Sequence, residues 1–409
     1  MASTVPVLRD LRFAVSGFAI LLGLAVIAAC ASVPPGTSRA VERCEIGLTI
    51  ADGRVTAARY MAAMEGFARQ AGTTGGVGQR LWRVTNAKDD RRSPPEGSLR
   101  HAIAGARAAG GGYILFDLPA DERELVLAAP LRPGSNVTLD GGCSQPRIID
   151  PSAGSAFYLA GVANLVLTGF AITQTGFEDL EESGDCVTVR GGADRIWFAF
   201  MALSACRDGM IDITGSEGRG QGRFTISDSR FSEHDKVMLI DGGGASGESC
   251  FALPDKPLQV QLSVLRNSFT EVAQRIPRVS GSAYVHFYGN DVAFAPRQRA
   301  SGAWSGAYGS LVTQGGRLLV ERNRYRSPDS ARRYRATASQ ALERADAPGC
   351  AADGALRGVA NDVGEGLSVQ DMRVEEVPSP TYTLAESATA WGRERAPGHA
   401  LRGGPFIQP

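Results

Sequence analysis

The chain is poor in histidine, with four in 409 residues, and none of its seven cysteines forms a Cys-x-x-Cys pair. Those shortages argue against a zinc centre. An excess of charge of either sign is also missing. Lys+Arg and Asp+Glu both number 43. Attraction to an acidic partner must therefore come from local clustering, and nothing in the balance points to nucleic acid. Aromatic residues make up only 7%, against 50 glycines, which suits a fold of tight turns and small inward residues. Strong helices alternating with strands are absent too, which argues against a doubly wound α/β sheet.

The N-terminus has the pattern of an export signal. Arg9 and Arg12 precede an apolar run from Phe13 to Ala29 that ends Ile27-Ala28-Ala29-Cys30. Cysteine directly after two small residues resembles a bacterial lipoprotein signal. That resemblance implies removal of residues 1–29 and lipidation of Cys30, which would be the only link to a membrane. Residue 31 is Ala, with no acid beside the cysteine, so an outer-membrane lipoprotein at the cell surface or in the periplasm is expected. An ordinary signal peptide (a secreted protein) or an uncleaved anchor is the alternative. Residues 30–45 read as a polar tether. Export makes Cys44, Cys143, Cys186, Cys206, Cys250 and Cys350 possible disulfide partners, with their pairing open.

From Val55 to Gln70 apolar residues recur at helical intervals, and a helix is expected there. Beyond Leu81 the pattern changes to short β-branched or aromatic runs. They fall at Tyr113–Phe116, Asn136–Leu139, Asn164–Leu167, Cys186–Val189, Arg195–Phe198, Met210–Ile213, Arg223–Ile226, Val237–Ile240, Gln259–Val264, Ala283–Phe287 and Arg317–Val320. Several end in a similar unit: Asp228-Ser229-Arg230-Phe231, Arg266-Asn267-Ser268-Phe269, Asn290-Asp291-Val292 and Arg322-Asn323-Arg324-Tyr325. Asn or Asp is expected to take the left-handed turn conformation there. Such spacing fits stacked coils, an all-β parallel β-helix over residues 46–330. Residues 331–409 are expected to pack on its outside as an extension, with a short helix at Ala336–Ala345.

Three groups could carry chemistry. Asp208 and Asp212 flank Gly209, and Asp185 lies about one coil earlier, so stacking could gather three carboxylates suited to calcium. His234-Asp235-Lys236 supplies a cation. In Arg275-Ile276-Pro277-Arg278 two guanidiniums stand at a spacing fixed by proline, matched to the carboxylates of an acidic sugar. Each residue alone reads as a turn, cap or surface charge.

Together these residues resemble the pectate lyases of polysaccharide lyase family 1. Glu65-Gly66-Phe67 and Thr73-Thr74-Gly75-Gly76 resemble that family's opening. Gly97-Ser98-Leu99-Arg100 and Ser135–Gly141 resemble its early coils. Gly184-Asp185, Asp208–Ile213, Phe224–Ser227, His234-Asp235-Lys236 and Gln274–Arg278 follow in family order, so the match covers roughly 60–330. The resemblance implies a right-handed, single-stranded parallel β-helix and a monomer. It also implies Ca2+ held by Asp185, Asp208 and Asp212, with Lys236, Arg278 and His234 on the substrate. Arg275 would be the base that takes the C5 proton of a polygalacturonate, cleaving the 1,4-link by β-elimination. Arginine is ordinarily protonated, so this role carries the expectation of an alkaline optimum.

Two departures stand out. The family's Trp-Ile-Asp-His is Trp197-Phe198-Ala199-Phe200 here, expected beside the calcium site, and a further family arginine is Ser280. Two other readings compete: a β-helical glycoside hydrolase using an acid pair, and a non-catalytic glycan-binding solenoid at the surface.

Overall fold

The structure is a computed structural model that describes residues 45, 47–177, 184–216, 218–243, 257–295, 308–327, 334–339, 354–384 and 389–390. The signal segment, Cys30 and all of the tether but residue 45 lie outside them. Among the described residues no helix is long and apolar enough to cross a membrane.

Parallel strands dominate. A 10-stranded sheet runs from Leu81–Val84 to Ala355–Val359, with every neighbouring pair parallel. A 16-stranded sheet divides at the long strand Arg230–Asp241, whose two halves belong to two different faces of the coil. The chain thus winds through three ladders, which is a parallel β-helix. Each expected strand is present within a residue or so of its expected ends, except Val237–Ile240, which is the last part of the longer strand Arg230–Asp241.

In-register stacking explains the stability. Ile114, Leu139, Leu167, Phe198, Ile226, Val264, Phe287 and Val320 occupy one row, all pointing inward and buried. A second row runs Ile148, Ile172, Leu203, Phe231, Phe269, Val292 and Tyr325. Within it Phe231 and Phe269 stack with centroids 5.0 Å apart. Each such side chain contributes about 1.5–3 kcal/mol on burial.

The turns between faces carry a second stack. Asn267 accepts the Ser229 N–H, Asn290 the Asn267 N–H, Asn323 the Asn290 N–H and Asn361 the Asn323 N–H, all at 2.8–3.0 Å. The left-handed residue is the one before the asparagine: Arg266 (φ 56), Gly289 (φ 63) and Arg322 (φ 52). The expectation holds in the first unit, where Asp228 is left-handed (φ 52), and is misplaced by one position in the three asparagine units. The asparagine amide satisfies buried backbone groups of the adjacent coil, a task no backbone ladder performs at a corner.

Three local expectations are overturned. Val55–Gln70 is not one helix. Arg54–Ala58 is a strand paired antiparallel with Leu48–Ala51, a 3-10 turn follows, and only Gly66–Gln70 is α-helical. Pairing across the Asp52-Gly53 turn outweighs the helical spacing. Gly97–Arg100 does not begin a coil. Ser98 caps the helix Leu99–Ala108 by accepting the His101 N–H at 3.3 Å, and the helix buries Leu99, Ala102, Ile103 and Ala106 in the main core.

Nor is Ala336–Ser339 helical. It lies in the strand Tyr334–Ser339, paired parallel with Tyr308–Thr313, because ladder partners override alanine's helix propensity. Residues 340–345 of that helix lie outside the described residues. The coils accordingly run past residue 330, adding Ala355–Val359, Asp362–Val363 and Leu367–Ser368. Beyond them Val377 and Tyr382 pack on the outer side of the 10-stranded sheet, against Phe67, Tyr284 and Leu319.

Candidate active site

The candidate residues meet on the outer side of one ladder of the 16-stranded sheet. This ladder stacks Phe157–Ala160, Val187–Arg190, Gly209–Thr214, the second half of Arg230–Asp241, Arg278–Ser280 and Tyr308–Thr313. Val189, Ile213, Ile240, Val279 and Val312 form its inward row. The neighbouring positions Tyr158, Thr188, Asp212, Leu239, Arg278 and Leu311 therefore share the outward row, since alternate strand residues face opposite sides.

Asp185 and Asp212 converge above Gly209. A Cβ added to Gly209 would sit 2.6 Å from Asp212 Oδ1 and 3.0 Å from Asp185 Oδ1, so only glycine leaves room for both carboxylates. Asp185 accepts the Thr188 hydroxyl at 2.6 Å and the Gly209 N–H at 3.1 Å. Asp212 accepts the Leu239 N–H at 3.1 Å. These donors are neutral, and neither acid is ion-paired among the described residues. Burial raises the pKa of Asp185. It raises that of Asp212 well above the ordinary carboxylate value, and the charge of Asp185 adds to the effect. Two carboxylates held by neutral donors form a hard-oxygen donor set that lacks an ion-paired partner among the described residues, and a divalent cation fits that need.

Asp208 faces the other way. It accepts Lys236 Nζ at 2.6 Å, and Arg275 Nη1 lies 3.9 Å from the same oxygen. The three acids come together, but Asp208 is engaged by the lysine. Among the described residues no group of three His, Cys, Asp or Glu side chains stands in an arrangement that would hold a metal.

Arg275 sits at a corner, with φ 55, between the strand Ser268–Gln274 and the strand Arg278–Ser280. Its carbonyl accepts the Met238 N–H at 2.7 Å, while the Ile276 N–H bonds Gly309 O at 2.8 Å. The Ile276-Pro277 peptide is cis, where the sequence suggested only an extended residue before proline. Arg278 stands in the outward row, four strands from Tyr158. Its buried Nε meets no hydrogen-bond acceptor among the described residues.

Two expectations fail. His234 does not reach a substrate, because its ring is fully buried and Nε2 bonds the Asp208 carbonyl at 2.8 Å. It positions the loop that carries Asp208. Ala199 and Phe200 do not lie beside the acids. Ala199 ends a strand of the 10-stranded sheet and Phe200 follows it, both in a separate apolar cluster with Tyr60, Tyr113, Val166 and Trp197. The change from polar to apolar there fills a packing site under the N-terminal segment.

Sequence reasoning missed several contributors. Thr188 orients Asp185. Tyr308 lies near Arg275 and Arg278, and its phenol is pushed up by burial. Gln274 donates to both oxygens of Asp235 at 3.2 Å. A disulfide joins Cys186 to Cys206, bracketing the chain between Asp185 and Asp208. The positions of these cysteines beside the two acids were a signal, although sequence left their pairing open.

A pectate lyase family model matches residues 204–360. Among curated relatives, probable pectate lyase 18 of Solanum lycopersicum is 30% identical over 279 residues, covering 64% of this chain and 62% of the relative. Probable pectate lyase 7 of Arabidopsis thaliana is 29% identical over 281 residues, covering 64% and 52%. The chain thus spans less than two thirds of the length of these relatives. The fold is shared with the crystal structure of jun a 1, the major allergen from cedar pollen. That match has a TM-score of 0.58 and 22% identity, covering 83% of this chain and 91% of the other. The resemblance seen in the sequence motifs is therefore borne out: residues 204–360 match a pectate lyase family model, pectate lyases are among the relatives, and the fold is a parallel β-helix.

Proposed function

We propose that this protein is a calcium-dependent polysaccharide lyase that cleaves 1,4-linked polygalacturonate by β-elimination. One observation carries the reading. The Asp185–Asp212 pair and the Lys236–Asp208–Arg275 group lie side by side on one outer face, where a chain can cross the strands. Relatives named as pectate lyases support it.

Asp185 and Asp212 would hold the calcium ion, with Asp208 joining them if Lys236 turns to substrate. When bound, calcium would supply positive charge against a uronate carboxylate and so acidify the neighbouring C5–H. Lys236 and Arg278 engage uronate carboxylates, the latter through a fork that has an unused donor. Arg275 takes the C5 proton. The C5–H electron pair becomes the C4–C5 double bond, the C4–O link breaks, and solvent protonates the departing oxygen. The corner backbone holds Arg275 in place, through the Met238 N–H on its carbonyl and the Ile276 N–H on Gly309 O.

The test is absorbance of the unsaturated product on polygalacturonate, with calcium and then with chelator. The wild type forms product only with calcium, and Arg275→Ala loses about 100-fold or more. Reducing ends without the absorbance band would instead identify a glycoside hydrolase. Binding without any product, indifferent to Arg275→Ala, would identify a glycan-binding solenoid. Export and lipidation at Cys30 belong to the same proposal. Incorporation of labelled fatty acid that persists in Cys30→Ala would refute the anchor.

A further inference from the structure

The outward row that carries Asp212 and Arg278 does not end at the acids. It continues through Thr188 to Tyr158, which is in register with Thr188. Two guanidiniums lie over the Tyr158 ring: Arg132 Cζ at 4.2 Å and Arg190 Cζ at 5.4 Å from its centroid. Both arginines are exposed, Tyr158 is half-buried, and neither arginine is ion-paired among the described residues.

We propose that Arg132, Tyr158 and Arg190 form a distal subsite for the carboxylate of a uronate residue in the bound polysaccharide. The proposal rests on the lyase reading only for the acidic-polysaccharide class of ligand. Charge complementarity is the first argument: two cations with no ion pair among the described residues stand on the face that a polyanion would cross. Spacing is the second. Neighbouring strands lie about 4.8 Å apart, close to the advance of one 1,4-linked sugar, so the subsite is about two sugars from Asp212 and about four from Arg278. Preorganisation is the third. A flexible arginine ordinarily loses freedom on binding, but stacking on one ring holds both planes before the ligand arrives. Tyr158 is thus a positioning residue, and the two guanidiniums make the contact. The subsite favours chains long enough to reach both ends of the face.

The experiment measures binding in the Arg275→Ala background, or in Arg275→Lys if that variant folds poorly, so that turnover does not consume the ligand. Calorimetry with calcium compares hexagalacturonate with trigalacturonate. Arg132→Gln and Arg190→Gln each lower the ratio of hexamer to trimer affinity about fivefold, and the double variant lowers it more than tenfold. Tyr158→Leu lowers it as well. Salt dependence of hexamer binding flattens in the double variant, and a methyl-esterified hexamer is indifferent to it. Both arginines are exposed, so thermal melts stay near the parent. An unchanged ratio in the double variant, or no hexamer binding to the parent, overturns the subsite. If wild-type protein forms no unsaturated product yet hexamer binding depends on these arginines, the lyase reading fails and the subsite stands. Product formation with an unchanged ratio sinks the subsite alone.

Discussion

Asp212→Asn provides the sharpest test of the proposed cation site, because its effect should change sign with calcium. In the metal-free protein Asp212 is a buried carboxylate beside a second carboxylate, and its pKa is raised well above 3.8. A raised acid stabilises the fold while it is protonated. That contribution is full at low pH and is lost as pH rises through the folded value, so at neutral pH the charge is a burden. Asparagine is nearly isosteric. Its Oδ1 can still accept the Leu239 N–H now held at 3.1 Å, and its amide can donate to Asp185. Without calcium, therefore, Asp212→Asn melts higher than wild type at neutral pH. With calcium the order reverses. A ligand at 100 times its Kd stabilises by about 2.7 kcal/mol. At about 2.1 cal/mol/K per residue, a domain of roughly 300 residues gains about 1.6 °C per kcal/mol, so wild type gains about 4 °C. The variant loses most of that gain. Calorimetric melts at neutral pH, with calcium and with chelator, give all four values. A variant that melts lower than wild type in chelator and keeps the full calcium gain would refute the reasoning.

Other outcomes follow from particular contacts. Lys236→Met should cut kcat/KM on polygalacturonate by about 100-fold, since it removes a cation from the proposed transition-state charge; a loss under threefold would count against that role. Asn267→Ala should cost about 3–5 kcal/mol in chemical denaturation, because it strips partners from the Ser229 N–H, the Ile226 carbonyl and Asn290 Oδ1; a cost below 1 kcal/mol would refute the ladder's importance. The C-terminal segment is tied down by His286, whose Nε2 donates to Glu321 at 3.2 Å while Nδ1 accepts the Tyr382 hydroxyl at 2.9 Å. Burial lowers the His286 pKa below 6.5, so its contribution is full above that value and is lost as pH falls. Hydrogen exchange near residues 377–382, taken relative to the intrinsic rate at each pH, should then speed up below about pH 6.5, and Tyr382→Phe should speed it up across the pH range. A pH-independent rate would contradict this.

Much of the fold was legible because a parallel coil repeats its demands. Each short run from Tyr113–Phe116 to Arg317–Val320 needed inward apolar residues at alternate positions, and that period shows without any partner in view. The stretches that misled were those where a distant pairing decides the outcome. Ala336–Ser339 has helix formers but meets Tyr308–Thr313. Arg54–Ala58 has helical spacing but folds back on Leu48–Ala51. His234 and Phe200 were read by their place in motifs, while burial against the Asp208 carbonyl and against the Tyr60 cluster set their roles.

The candidate site divides in the same way. Local sequence determined the residue types: acids around a glycine, a lysine after a histidine, and arginines either side of a proline. It also determined that coils would stack, since coil-length spacing and inward aliphatic rows are local properties. Only the tertiary structure decided that Asp185 and Asp212 share the space above Gly209, that Asp208 turns to Lys236, and that Tyr158 lies in the same outward row. Those relations join residues 24 to 120 positions apart through register, and register is set by the packing of whole coils rather than by any one segment.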